Sequence, residues 1–405
     1  MTGLLKQALL VGGETVDVRV GTGGLITEVQ GELTPADGET VEDLDGRLLL
    51  SAPAEPHAHL DKALTADAVP NPSGDLMGAI NAWRAHGYDS TVDDIHRRAR
   101  AAVLRGLAHG ITAVRSHVNV LDPSGVIPVE ALLRLRDELG HLVEIQLVGL
   151  VAQPDTQPGN YRLLQEALDM GVDVVGGCPH VEADRREVLR LTLDLAGERG
   201  LPIDLHTDEN LNPESRDLLD LARTVRSTGF ETGVVASHCV SLGMMDAGEQ
   251  QAIAHEVAEA GVGVIALPQT NLFLQGRDHP TATPRGLTAL RALDQAGVVV
   301  AGGADNVQDP FNSMGRVDPF ETASLLVMAG HLLPHEAWSW VTDRARLVMG
   351  LDPIEIAPGS QADLMAVRAG SVREAVASAP TDRVIIKGGR VVARTTVAQE
   401  FPGLS

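Results

Sequence analysis

Lysine is nearly missing from this chain of 405 residues: only Lys6, Lys62 and Lys387 occur. Aromatic residues make up 2%, and there are two cysteines. Cys178 and Cys239 cannot supply a disulfide framework for a core of this size, so the chain reads as cytoplasmic. No apolar run approaches the roughly 18–20 residues that cross a bilayer, which argues against a membrane partner. Met1 to Val11 holds one lysine and a short apolar run without a small-residue cleavage pattern, so no secretory signal is expected. Basic charge is also scarce, with 32 basic against 55 acidic residues and a net charge of −23. Such a field repels polyanions and excludes a nucleic-acid polymer as the expected partner. His96-Arg97-Arg98-Ala99-Arg100 is the best local exception, and the solvated face of a helix accounts for it.

What is present divides the chain into two textures. Residues 1–50 alternate polar and apolar positions between Gly-rich turns, and residues 353–405 repeat this character. The two ends are expected to pair into one small β-domain. Between them, over 51–352, short apolar strands alternate with amphipathic helical stretches. The strands read as Leu48–Ser51, Thr112–Ser116, Glu144–Val151, Val172–Gly176, Ile203–Leu205, Val234–Ser237, Val262–Leu267 and Val298–Ala301. Eight strands with helical crossovers predict an α/β fold, a (β/α)8 barrel. A doubly wound open sheet is the alternative, but no Gly-x-Gly-x-x-Gly opens the first helix. Residues 66–90, broken by Pro70-Asn71-Pro72-Ser73-Gly74, read as a long loop or lid with Trp83 in its helical part. Residues 271–284 read as a second loop over the site.

The chain has 14 histidines, and their placement is informative. His57 and His59 follow the first strand, His117 ends the second, His180 follows the fourth, His206 ends the fifth and His238 ends the sixth. Asp305 and Asn306 follow the eighth. In a barrel all of these lie at the C-terminal face, where active sites of this fold are built. Each alone has a bland explanation: a chance His-x-His, a structural histidine, a turn aspartate. Three imidazoles and a carboxylate converging on one barrel mouth suit a divalent transition metal with an open position for water. Glu209, three residues after His206, can reach the same place as an acid/base. Its bland alternative is charge at a helix N-terminus.

At this point the residues resemble a family. Glu55-Pro56-His57-Ala58-His59-Leu60-Asp61 is similar to the first-strand metal motif of the amidohydrolase superfamily, more narrowly its cytosine deaminase-like branch. Arg115-Ser116-His117-Val118, Asp204-Leu205-His206-Thr207-Asp208-Glu209, Ala236-Ser237-His238 and Asp305-Asn306-Val307-Gln308-Asp309-Pro310-Phe311 continue the likeness in order. The C-terminal segment Ile356 to Leu364 resembles the superfamily's return strand. The resemblance implies a barrel with a small β-sandwich built from both chain ends. It implies that His57, His59, His206 and Asp305 hold one divalent metal ion, zinc or iron. It also implies that Glu209 shuttles protons, that His238 polarises the attacked group or positions the water, and that the assembly is a homo-oligomer. Binuclear relatives bridge two metals with a carboxylated lysine after strand four. That strand ends here in Gly176-Gly177-Cys178-Pro179-His180, so one metal is expected.

The departures surround the expected substrate. The cytosine deaminase pattern has a second Asp after the metal-binding one, and this chain has Asn306. A Trp a little later is replaced by Phe311. Gln153 is a counterpart of the glutamine that reads the pyrimidine edge, once one extra residue is allowed in 149–152. Lys62 is similar to the His-x-His-Leu-Asp-Lys variant of N-isopropylammelide amidohydrolase, and it either faces the substrate or pairs with Asp61. The resemblance therefore implies a hydrolytic deaminase of a small amino-substituted heterocycle. Metal-bound hydroxide would attack the amine-bearing ring carbon, with Asp305 taking the water's proton and Glu209 as the shuttle. The alternatives are release of a substituted amine from an aminotriazine, or hydrolysis of a cyclic amide.

Overall fold

The computed structural model describes residues 3–87, 89–152 and 157–403. Eight parallel strands pair in chain order: Ala54–Ala58, Ala113–Asn119, Glu144–Val151, Val174–Gly177, Ile203–Thr207, Val234–His238, Gly263–Ala266 and Val300–Gly302. Most of their residues are buried, as parallel strands covered by helices require. The helices form where caps and apolar stripes agree. Thr91 accepts from the Asp94 N–H at the start of Val92–Ala108, and Asp93 and Asp94 occupy its first turn. The same helix buries Ile95, Ala99, Ala102, Val103 and Leu107, one 3.6-period stripe.

The first barrel strand differs from its expected position. Leu48–Ser51 is not in the barrel. It pairs antiparallel with Leu364–Val367 and meets Gly3–Leu9 at Leu48. Its apolar run serves the second, eight-stranded mixed sheet, which uses both chain ends. That sheet curls until Leu25 bridges Gln361, enclosing Leu5, Val18, Leu49, Leu364, Val384 and Ile386 as the small β-sandwich. The true first barrel strand, Ala54–Ala58, carries Glu55 and His57 among its five residues.

The barrel closes by little main-chain pairing. Ala58 and Asp305 form a single bridge, with the Asp305 N–H donating to the His57 carbonyl at 3.0 Å. Glu55 reinforces this seam. Both of its carboxylate oxygens lie 3.0 Å from the Ala304 N–H, and Oε1 accepts from the His57 N–H at 3.2 Å. Burial pushes its carboxyl up to about 8. Glu55→Ala leaves these buried N–H groups without acceptors. At ~1–3 kcal/mol per stranded donor, we expect roughly 2–4 kcal/mol of lost stability, read as a lower urea midpoint. An unchanged midpoint would show that the seam does not depend on Glu55.

The basic cluster at 96–100 is neutralised rather than presented. Arg97 and Arg98 pair with Asp94, and His96 and Arg100 pair with Glu138. Arg98 is buried and donates to the carbonyls of Asp61 (3.1 Å) and Ala63 (2.7 Å), fixing the turn after His59. Among the described residues, no helix is long and apolar enough to cross a membrane.

Candidate metal centre and active site

The C-terminal ends of the strands converge on a cavity of about 440 Å³. His59, His206, Glu209, His238 and Asp305 line its buried end, with His57 directly behind. The ligand atoms are close enough to share one ion. His59 Nε2 lies 3.1 Å from His206 Nε2 and 3.3 Å from Asp305 Oδ1, and His57 Nε2 lies 3.6 Å from the same oxygen. Two nitrogens each at ~2.0–2.1 Å from one zinc stand roughly 3–3.5 Å apart. His57 Nε2, both Asp305 oxygens and His238 Nε2 are buried without a hydrogen-bond partner among the described residues. Orphaned polar atoms of that kind are rare in a folded core, and converging on one point they fit a metal.

Electrostatics favour the same state. Burial drives the pKa values of His57, His59 and His206 well down, and repulsion from neighbouring cations adds to it, led by His117 for His57 and His206 and by Lys62 for His59. Neutral imidazole is the form that binds a metal. Burial raises Asp305 well above the ordinary carboxylate range, and the neighbouring Glu209 charge raises it further. A cation at this point would relieve that penalty.

Buried partners aim the ligands. Ser237 Oγ donates to Asp204 Oδ1 at 3.0 Å, so it must accept from His57 Nδ1–H at 2.9 Å. That fixes the tautomer and turns the bare Nε2 inward. Asp204 is in turn held by Arg115 at 3.0 Å. Lys62 is paired and also lies beside the cavity. It contacts Asp61 at 3.3 Å, donates to Asn119 Oδ1 at 2.9 Å and to His59 Nδ1 at 3.1 Å, and still borders the cavity.

The other expected residues are placed as follows. Asn306 borders the cavity with its amide engaged, donating to Asp309 Oδ2 at 2.8 Å and accepting from Thr270 at 3.3 Å. Phe311 forms part of the wall. Gln153 lies outside the described residues. Glu209 is buried, and burial pushes its carboxyl up to about 8. Its Oε1 lies 3.5 Å from His238 Nδ1, and its Oε2 lies 3.8 Å from His180 Nε2.

Several further contributors had a place near the site in the sequence but no assigned role. His117 stacks on His57 with ring centres 3.9 Å apart, and His57, His117 and His206 form a second triad of ligand spacing. His180 Nδ1 donates to the His206 carbonyl at 3.1 Å, leaving Nε2 towards Glu209. Asn271 Oδ1 accepts from His238 Nδ1 at 3.1 Å, and Gln275 donates to the Glu209 carbonyl at 3.3 Å. The segment read as a lid contains a helix, Leu76–His86, capped by Asp75. It places Leu76, Ile80 and Trp83 on the cavity wall.

A profile described as the amidohydrolase family matches residues 98–398. The chain belongs to the amidohydrolase family. The match begins after His57 and His59, so the first two candidate ligands lie outside it. This amidohydrolase is 32% identical to a pterin deaminase of Rhizobium rhizogenes, over 84% of this chain and 80% of that one. The crystal structure of 5-methylcytosine deaminase from Klebsiella pneumoniae, liganded with phosphonocytosine, has a TM-score of 0.89 at 29% identity, covering 99% of this chain and 100% of that one. N-isopropylammelide isopropylaminohydrolase from Burkholderia multivorans has a TM-score of 0.84 at 28% identity, covering 97% and 98%. The amidohydrolase described here is thus an enzyme of the class that hydrolyses C–N bonds, and its relatives act on heterocycles.

Proposed function

We propose that this amidohydrolase is a mononuclear, metal-dependent hydrolytic deaminase of an amino-substituted heterocycle. The observation that carries the reading is the convergence of His57, His59, His206 and Asp305, with His57 Nε2 and both Asp305 oxygens orphaned, at the buried end of a cavity that also holds Glu209 and His238. A divalent ion there, zinc or iron, would lower the pKa of a water and supply the nucleophile near neutral pH. Asp305 is placed to take the water's proton. Glu209 holds a proton at neutral pH, since burial pushes its carboxyl up to about 8, and can give it to the ring nitrogen beside the attacked carbon. It then takes the proton of the hydroxyl added to that carbon and passes it to the departing amine, and the proton taken from the water restores Glu209 at the end of the cycle. His238, tied at Nδ1 to Asn271, directs Nε2 towards Asp305 Oδ2 at 4.0 Å. A proton passed there gives an imidazolium facing the charge that develops on the attacked group.

Pterin, 5-methylcytosine and N-isopropylammelide, named for the relatives, all carry an exocyclic nitrogen on a carbon beside a ring nitrogen. A cavity of about 440 Å³ exceeds what one six-membered ring fills, which favours a fused or substituted ring. Release of a substituted amine is the second reading, supported by the shared His-x-His-Leu-Asp-Lys motif ending at Lys62. The same proposal assigns residues 51–352 to the catalytic barrel and residues 1–50 with 353–405 to the β-sandwich. It includes a cytoplasmic location and a homo-oligomer. The test is metal analysis followed by incubation with cytosine, 5-methylcytosine, pterin and N-isopropylammelide, scoring ammonia and alkylamine. Metal-loaded protein that releases neither from any of them would overturn the reading.

Asn306→Asp is expected to act on stability before specificity. It replaces a donor to Asp309 with a second buried carboxylate, beside one that burial already pushes up to about 6. We expect a loss of roughly 1–3 kcal/mol from the broken hydrogen bond and the repulsion. Chemical denaturation reads it, and an unchanged midpoint with altered substrate preference would instead place Asn306 on the substrate.

A further inference from the structure

The cavity changes character along its length. Its deep end is the histidine and carboxylate cluster. Its middle is apolar, walled by Leu76, Ile80, Trp83 and Phe311. Its rim includes the exposed Arg84, Asp122 and Val181. Two non-histidine cations border it, Lys62 and Arg84. Lys62 is already committed to Asp61, Asn119 and His59. The Arg84 guanidinium makes no hydrogen bond or ion pair with another described residue. Asp122, the acidic residue on the same rim, is not paired with it.

The backbone that carries Arg84 is held firmly. Asp75 caps its helix, and Asn71 Nδ2 ties the preceding turn to the carbonyls of Asp75 (2.9 Å) and Pro310 (3.0 Å). Arg84 follows Trp83, which is buried against Gly87 at the helix end. An uncommitted guanidinium carried on a firmly held helix, at the far end of an apolar wall, is a receptor for a planar anion, because its forked donors match a carboxylate bidentately. It also offsets the acidity of the protein, which would otherwise disfavour an anionic substrate.

We propose that Arg84 is a specificity-determining residue that binds an acidic substituent on the ring system, remote from the amine-bearing carbon. The substrate class is then a carboxylate-substituted aminoheterocycle. This rests on the deaminase reading above for the orientation of the ring, with the amine at the buried end.

The test compares pterin with pterin-6-carboxylate, and cytosine with cytosine-5-carboxylate, on the metal-loaded protein. The wild type should prefer the acid of at least one pair in kcat/KM by roughly tenfold or more, and the preference should shrink as salt rises. Arg84→Gln should lower the acid-to-neutral ratio by about tenfold, and Arg84→Lys should retain part of it. A wild type without preference for either acid, or a ratio unmoved in Arg84→Gln, would overturn the proposal. Calorimetric binding of the two acids separates it from the parent reading. If no ring is turned over, but an acid binds the wild type and not Arg84→Gln, the deaminase reading falls and the Arg84 assignment stands.

Discussion

Glu209→Gln should retain its metal and lose ~10²–10⁴-fold in kcat, the usual worth of a positioned general acid–base. The amide has nearly the same shape and can still contact His238 and His180, which lie 3.5 Å and 3.8 Å from the carboxylate oxygens. It cannot release and recover a proton. The carboxylate is buried at the deep end of the cavity. The loss should fall on kcat rather than on KM, because the proton is needed in the transition state and not for docking. Equal metal content by elemental analysis, with a collapse in ammonia release, is the expected pair of results. A variant that keeps its turnover would remove Glu209 as the proton shuttle.

Arg115→Met should produce the second large effect, on stability and metal affinity together. Arg115 donates to Asp204 at 3.0 Å, to Gln146 at 3.0 Å and to the Val348 carbonyl at 3.1 Å, and it is buried. Removing one member of a buried ion pair costs ~3–5 kcal/mol, because the other charge is left uncompensated. Two observations point to the lower end of that range. Arg115 borders a cavity of about 520 Å³ at the opposite end of the barrel, through which water can reach the vacated space. Asp204 can also take up a proton, since burial pushes its carboxyl up to about 6 even with Arg115 present. That escape has its own consequence. A protonated Asp204 no longer holds the Ser237 hydroxyl as firmly, and Ser237 orients His57. Loss of such an outer partner lowers metal affinity by ~10–100-fold. Urea denaturation and metal titration read the two effects, and a variant normal in both would refute the linkage.

The fold and much of the site could be read from residue order, and the failures have physical causes. Seven barrel strands overlap their expected positions because a parallel strand buried on both faces is a plain apolar run. The first strand broke that rule. Ala54–Ala58 spends its positions on Glu55 for the seam and His57 for the site, while Leu48–Leu50 offers the better-looking run next door. Strands that carry function are where pattern reasoning fails. His57, His59, His206, Glu209, His238 and Asp305 stand out because each sits at or just after a strand end. The structure brings all six around one cavity. His117 shares that kind of placement, yet only the folded chain shows it stacked on His57. Asn271, Gln275 and Ser237 act through other residues, and no spacing in one sequence announces such a partner.

The seam between the first and eighth strands has a consequence for folding. One main-chain bridge and the Glu55 carboxylate hold it, and it joins segments that are among the most distant in the chain to be paired in the barrel. Closing it carries the largest loop-closure entropy of any barrel pairing, so it is expected to form late. An ion gripped by His57 and His59 on one side and Asp305 on the other would staple that last joint. Its binding free energy would then be folding free energy, ~4 kcal/mol at a thousandfold excess over the dissociation constant. Chelator-stripped and reloaded protein should therefore differ in melting temperature and in protease resistance, and the history of the metal would set how long the folded chain persists.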